Sequence, residues 1–194
     1  MMRWDIINHL IDKNNYKSYL EIGVQDYYSN CEKIKAEYKV AIDPAPRNKC
    51  DFIGTSDEYF AQLSSDVKFD IVFIDGLHHC DQVDKDIENS LNHLNEGGTI
   101  VIHDCNPYTE SMQVRNDHGG PWTGDVWKSI FKHRFREDLN VCVVDTDYGC
   151  GIVTKGTQTI PSLEYSDSNL TWDTLQFNRL EMLNLISVEN FLNR

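Results

Sequence analysis

Three short apolar runs, each ending in an acidic residue or a glycine, constrain the fold of this chain most strongly. They are Tyr19-Leu20-Glu21-Ile22-Gly23-Val24, Phe69-Asp70-Ile71-Val72-Phe73-Ile74-Asp75-Gly76-Leu77-His78 and Thr99-Ile100-Val101-Ile102-His103-Asp104. Such runs, rich in β-branched residues, suit parallel strands buried on both faces, and their polar ends then open onto a ligand crevice. Around them the expected elements alternate. Trp4, Ile6, Ile7, Leu10 and Ile11 share one face of a helix over 3–13. A first strand over 17–23 is followed by a helix around 30–37, and a second strand over 39–43 is stopped by Pro44 and Pro46. A brief strand at 51–54 and a short helix at 57–63 lead to the strand over 69–75. Val83, Ile87, Leu91 and Leu94 form the stripe of an amphipathic helix that ends before Gly97-Gly98.

The strand over 99–103 comes next, then a long polar loop, 105–124, of the kind that in compact domains is a functional lid or binding loop, or else disordered. Val126, Trp127, Ile130 and Phe131 mark a further helix, and 140–145 with 149–154 form an antiparallel pair. Residues 156–169 read as a linker. The segment 170–194, with Trp172, Leu175, Leu180, Leu183, Ile186 and Phe191, reads as helical, docking on the body or on a second copy as a homodimer. The expected class is a doubly wound α/β sandwich.

At 194 residues the chain is expected to be one domain, 1–194. Its 18 Lys and Arg against 31 Asp and Glu leave a net charge of −13, which disfavours nucleic acid as a partner because phosphate binding needs clustered cations. No apolar stretch approaches the roughly 20 residues of a membrane helix, and the N-terminus lacks a signal-type apolar core. Six dispersed cysteines without a C-x-x-C pair read as reduced thiols, so the expected location is cytoplasmic, with no membrane partner.

The first strand ends in Glu21-Ile22-Gly23, and Asp43 follows 22 residues after Glu21 at the end of the second strand. A glycine there lets backbone approach a ligand, and an acid after strand two can accept two hydrogen bonds from ribose hydroxyls. A dinucleotide site would need G-x-G-x-x-G for its pyrophosphate. This turn instead reads Gly23-Val24-Gln25-Asp26-Tyr27-Tyr28-Ser29, with one glycine and an added negative charge, which suits a cationic cofactor.

From about Tyr19 to Thr154 the chain resembles the class I S-adenosylmethionine-dependent methyltransferases. The resemblance implies a mostly parallel, seven-stranded Rossmann-like methyltransferase sheet with an antiparallel strand at one edge. It places Glu21 and Gly23 at the methionine part of the cofactor, Asp43 at the ribose, Ser56 and Asp57 at the adenine, and Asp75 beside the cofactor. The chain departs from the family in lacking the second and third glycines of the first motif.

The ends of the other two runs bring Asp75, His103 and Asp104 together, with spacings of 28 and 29 residues. Carboxylates are hard donors suited to Mg²⁺ or Mn²⁺, and His78, three residues past Asp75, has a pKa suited to general-base work. Each of these residues taken alone is more readily read as a solvated strand end or a helix cap. Together they are similar to the site of metal-dependent O-methyltransferases of the catechol and macrolide-sugar types. That resemblance implies Asp75, His103 and Asp104 as metal ligands and His78 as the base. His103 stands where an acid is usual, so it is either an imidazole ligand favouring Mn²⁺, Fe²⁺ or Zn²⁺ over Mg²⁺, or a donor to a ligating carboxylate.

His118, in the loop, is a second candidate base, and Trp122 and Trp127 are read as stacking residues or core anchors. His9, His93 and His133 are read as lying on polar or mixed helical faces, without chemistry. The expected activity is methyl transfer to a hydroxyl of a saccharide or small metabolite. The segments Gly124-Asp125-Val126-Trp127-Lys128 and Asp145-Thr146-Asp147-Tyr148-Gly149 resemble methyltransferases that tailor glycans and saccharides. Two rival readings are a cofactor-binding protein that acts through a partner without methyl transfer, and a nicotinamide-dependent reductase, which the single-glycine turn opposes.

Overall fold

The computed structural model describes residues 1–194. Eight strands form one sheet: β1 Ser18–Ile22, β2 Tyr38–Asp43, β3 Phe52–Ile53, β4 Phe69–Ile74, β5 Leu94–Ile102, β6 Leu139–Val144, β7 Cys150–Lys155 and β8 Leu185–Ile186. Their order is β3-β2-β1-β4-β5-β7-β6-β8. All pairs are parallel except those of β7, which runs antiparallel to both β5 and β6. This is the expected doubly wound, mostly parallel sheet, with the reversed strand toward one edge and the short β8 adding an eighth strand there.

The helices are α1 Arg3–Asn14, α2 Ser56–Gln62, α3 Cys80–Asn92, α4 Val126–His133, α5 Trp172–Met182 and α6 Val188–Leu192. Alternate residues of the strands supply two cores. Leu20, Val72, Ile74, Ile100 and Ile102 face the layer containing α3 and α4, whereas Tyr19, Ala41, Ile71, Phe73 and Val101 face α1 and α6. Covering both faces explains why these strands carry apolar residues on both of their sides.

Register places the site. Ile22 of β1 lies beside Ile74 of β4, and Ile74 beside Ile102 of β5. The next residues, Gly23, Asp75 and His103, therefore emerge side by side. Strand order reverses between β1 and β4, which is where an open α/β sheet leaves its crevice.

Several expected elements differ. No helix follows β1: only a 3-10 turn, Cys31–Lys33, forms, and the chain then runs extended to β2. Its carbonyls are satisfied from elsewhere. Lys39 Nζ donates to the carbonyls of Cys31 and Ile34 at 2.8 and 3.1 Å, and Asn8 Nδ2 donates to that of Lys33 at 2.9 Å. A helix's own ladder is thereby replaced by long-range donors. Gly97-Gly98 does not stop α3, which ends at Asn92. The pair lies within β5, where Gly97 has a φ of +73° and the pairing with β4 shifts register.

The C-terminal segment is also not one helix: β8 separates α5 from α6, and α5 is kinked at Asn178. It docks on the body through Leu175, Met182, Leu183 and Phe191, while Phe177 and Leu180 point to solvent. His93 and His133 are buried rather than on open faces. Their Nδ1 atoms lie 2.8 Å from the carbonyls of Val67 and Ser129. All six cysteines are free thiols, and no helix is long and apolar enough to cross a membrane.

Candidate functional site

One cavity of about 740 Å³ lies at the C-terminal ends of β1, β2, β4 and β5, within the size range of small-molecule sites. Gly23 has a φ of +87°, and a Cβ there would overlap the carbonyl of Asp75, so both backbone conformation and space require glycine. Glu21, Gly23, Asp43, Ser56, Asp57 and Asp75 all line this cavity.

The Glu21 carboxyl is buried, accepting from Tyr19 Oη at 2.5 Å and Asn30 Nδ2 at 3.1 Å, and burial pushes its pKa up to about 7. Asp43 accepts from the backbone amides of Gln25 at 2.9 Å and Ala45 at 2.7 Å. These use one site on each oxygen, leaving further lone pairs for a diol. Ser56 and Asp57 open α2 after the Thr55–Glu58 capping box. Ser56 Oγ donates to Asp86 Oδ1 at 2.6 Å, and Gln82 Nε2 donates to Asp57 and Asp86, both at 3.1 Å. Burial lifts the Asp86 carboxyl to about 6. Asn30, Gln82 and Asp86 line the cavity too and escaped the sequence reading. For Gln82 and Asp86 a signal existed, since they lie four residues apart beside the apolar stripe of Val83 and Ile87.

At the other end of the same cavity, two imidazoles bracket two carboxylates. His78 Nε2 is 3.4 Å from Asp75 Oδ1, and His78 Nδ1 is 3.3 Å from Asp104 Oδ2. His103 Nδ1 lies 3.3 Å from Asp75 Oδ1 and 3.2 Å from Asp104 Oδ2. Asp104 has a left-handed φ of +60°, a strained conformation for a residue with a side chain. Burial opposes the charge on His103, yet Asp75, Asp104 and Asp147 hold its pKa well above 6.5. His78 is raised for the same reason, by Asp75 and Asp104 against burial. Asp75 is held well below the carboxylate range: burial would raise it, but His103 and His78 face it.

Trp122, in the 105–124 loop, stacks on His78 with ring centroids 4.8 Å apart and planes at 22°, shielding that imidazole from water. Gly124 makes this closure possible. Its φ is +57°, and a Cβ would overlap the carbonyl of His78. Trp127 is instead fully buried in the core. His118 does not reach the site. It is exposed, outside the cavity, and its Nε2 lies 2.8 Å from the carbonyl of Ser111 within the loop.

Ligand atoms of Asp75, His78 and Asp104 all lie within 4.8 Å of one another, a donor set that fits a divalent cation. His78 Nδ1 is buried without a well-aligned hydrogen bond, so this donor is available. The set differs from the expected Asp75, His103 and Asp104 in that His78 stands among the donors, while the outer nitrogen of His103 is engaged elsewhere. Two residues given no site role from sequence supply that engagement. Arg3 of α1 lies 3.3 Å from His103 Nε2 through Nη1 and 3.8 Å from Asp75 through Nε, and Asp147 lies 3.5 Å from His103 Nε2.

Residues 17–105 match a family model described as a methyltransferase domain. No curated protein matches the sequence. Among solved structures, a caffeoyl-CoA O-methyltransferase candidate from Staphylococcus aureus aligns with a TM-score of 0.58 and 21% identity, over 79% of this chain and 82% of that one. The O-methyltransferase TomG of Streptomyces achromogenes, solved with S-adenosylmethionine, gives 0.58 and 15%, over 80% of each chain. The Podospora anserina methyltransferase PaMTH1, solved with S-adenosylhomocysteine, gives 0.56 and 18%, over 79% of this chain and 78% of that one. At these identities the likeness is one of fold.

Proposed function

We propose that this chain, whose residues 17–105 match a methyltransferase-domain family model, is an S-adenosylmethionine-dependent O-methyltransferase assisted by a divalent metal. One observation carries the reading: a single cavity runs from the ribose-type acid Asp43 past Gly23 to the Asp75, His78 and Asp104 donors. A cofactor at one end and an acceptor hydroxyl at the other can then be held for in-line transfer.

The cofactor supplies an electrophilic methyl on a sulfonium, and a divalent ion supplies positive charge that acidifies the hydroxyl. Asp75 and Asp104, with His78 or His103, are the residues to hold the ion. Gly23 and Asp43 seat the methionine and ribose portions of the cofactor. The acidic lining of the cavity suits its positive charge. His78 is placed to take the hydroxyl proton at Nε2, since Nδ1 is buried against Asp104, and Trp122 limits the access of water to it. The metal is Mg²⁺ or Mn²⁺ if carboxylates dominate its shell, and Mn²⁺ gains with an imidazole ligand.

A saccharide or small polar metabolite is the favoured acceptor class. Both segments that resemble saccharide-tailoring enzymes border the site: Asp125 donates its backbone amide to the His78 carbonyl at 3.1 Å, and Asp147 approaches His103. Calorimetric titration of metal-stripped protein with S-adenosylmethionine, repeated with Mg²⁺ or Mn²⁺, is the direct test. Micromolar binding is expected, with turnover of an acceptor depending on the ion and lost in Asp75→Ala and Asp104→Ala. Absence of cofactor binding in both states would overturn the reading, and unaltered turnover in the two variants would remove the metal from it.

A further inference from the structure

We propose that Asp147 and Arg3 are a positioning pair for the metal site, holding the His103 imidazole so that Nδ1 faces Asp75 and Asp104. The inference rests on the metal reading above. Asp147 does not line the cavity. It lies behind His103, at the tip of the turn between β6 and β7, with its side chain only 5% exposed.

Three independent constraints aim it there. Asp147, Tyr148 and Gly149 have successive φ values of +48°, +60° and +89°, a left-handed run that costs energy at the two non-glycine residues. The turn is bolted to the segment after Asp104, because Cys105 donates its amide to the Gly149 carbonyl at 3.0 Å and Asn106 to that of Tyr148 at 2.7 Å. Arg3, at the first turn of α1, fixes the carboxylate twice at Oδ2, through its backbone amide at 2.9 Å and Nη1 at 3.2 Å. The remote chain start and the β6–β7 turn thus meet at one carboxylate.

That carboxylate is 3.5 Å from His103 Nε2, on the side of the ring opposite the Asp75–Asp104 pair. A partner on the outer ring nitrogen is the arrangement that fixes the orientation of a histidine beside a metal site. Arg3 Nη1, which can only donate, meets the same Nε2 at 3.3 Å, so the two groups together anchor the ring from behind and Nδ1 is directed at the carboxylates that would hold the cation. Arg3 balances the Asp147 charge and, through Nε at 3.8 Å, that of Asp75, so the acids remain ordered without the ion. Arg3 Nε is buried without a hydrogen-bond partner, so toward Asp75 Arg3 acts through its charge, while it holds Asp147 by hydrogen bonds.

The test is Mn²⁺ binding, measured by the electron paramagnetic resonance of the free ion and by calorimetry, on wild type and on Asp147→Asn. S-adenosylhomocysteine affinity, measured in parallel, reports that the fold and the cofactor end are intact. Asp147→Asn is expected to weaken Mn²⁺ about 10- to 100-fold with S-adenosylhomocysteine binding unchanged, and Asp147→Glu to recover part of the loss. If Asp147→Asn fails to fold, Arg3→Gln carries the test, with Arg3→Lys as the partial rescue. Unchanged Mn²⁺ affinity in a folded variant would overturn the proposal. A wild type that binds S-adenosylhomocysteine but no Mn²⁺ would remove the metal reading and this inference together, leaving the cofactor assignment standing.

Discussion

At the scale of single residues, the site depends on buried groups whose charge the fold controls. Glu21 is the clearest case. Its pKa rises from 4.5 to about 7, so the folded state favours its neutral form. Stability from this group is fully present below pH 4.5 and is lost as pH rises through about 7, by about 3 kcal/mol at most. Glu21→Gln is therefore expected to flatten the dependence of Tm on pH between 4.5 and 7, measurable by differential scanning calorimetry across that range. His78→Ala is expected to lower kcat about 10²- to 10⁴-fold while leaving S-adenosylhomocysteine binding unchanged, because His78 serves the proton and not the cofactor. An equal loss of cofactor affinity would place His78 in binding instead. Glu21, Asp43, Asp75, His78, His103 and Asp104 were legible as residues that converge on one cavity, because each sits at or just past the end of an apolar run. Arg3 and Asp147 were not, since neither lies at the C-terminal end of a parallel strand and only folding brings each to His103.

At the scale of elements, the excursion from Ser29 to Glu37 is the most dependent on distant partners. An expected helix gives way to an extended path because Lys39 and Asn8 take over its carbonyls. Lys39→Met leaves those partly buried acceptors unpaired, and each unsatisfied group costs about 1–3 kcal/mol. A lowered Tm is expected, with faster amide hydrogen exchange at residues 31–34 than in β4 and β5. Since Asn30 of this excursion holds Glu21, weaker cofactor binding should accompany it. Gly124 acts similarly on the 105–124 loop: Gly124→Ala forces the backbone off the His78 carbonyl and is expected to lift Trp122 from His78. Trp122 fluorescence would report that displacement.

At the scale of the whole molecule, the doubly wound sheet brings cofactor-type and metal-type residues to one edge by register alone. Ligands that bind only the folded state should stabilise the entire domain, by about 2.7 kcal/mol at a ligand concentration 100 times Kd. S-adenosylhomocysteine is expected to raise Tm in this way and NAD to leave it unchanged. A rise with NAD alone would revive the reductase reading. The charge of −13 leaves little for phosphate backbones, whereas an acidic cavity with Arg3 as its one Lys or Arg suits a cationic cofactor.

The alternation of apolar runs and amphipathic stripes, read from the sequence alone, determined the sheet, its parallel core and which residues stand at strand ends. Those properties are local: periodicity and strand-end chemistry are written in consecutive residues. The tertiary structure alone decided the path after β1, the breaking of the C-terminal segment by β8, and the burial of His93 and His133. It also decided that His78 joins the carboxylates, that His118 stays outside, and that Arg3 and Asp147 stand behind His103. Each depends on hydrogen bonds or charges between residues up to 144 positions apart, whose proximity no sequence window contains.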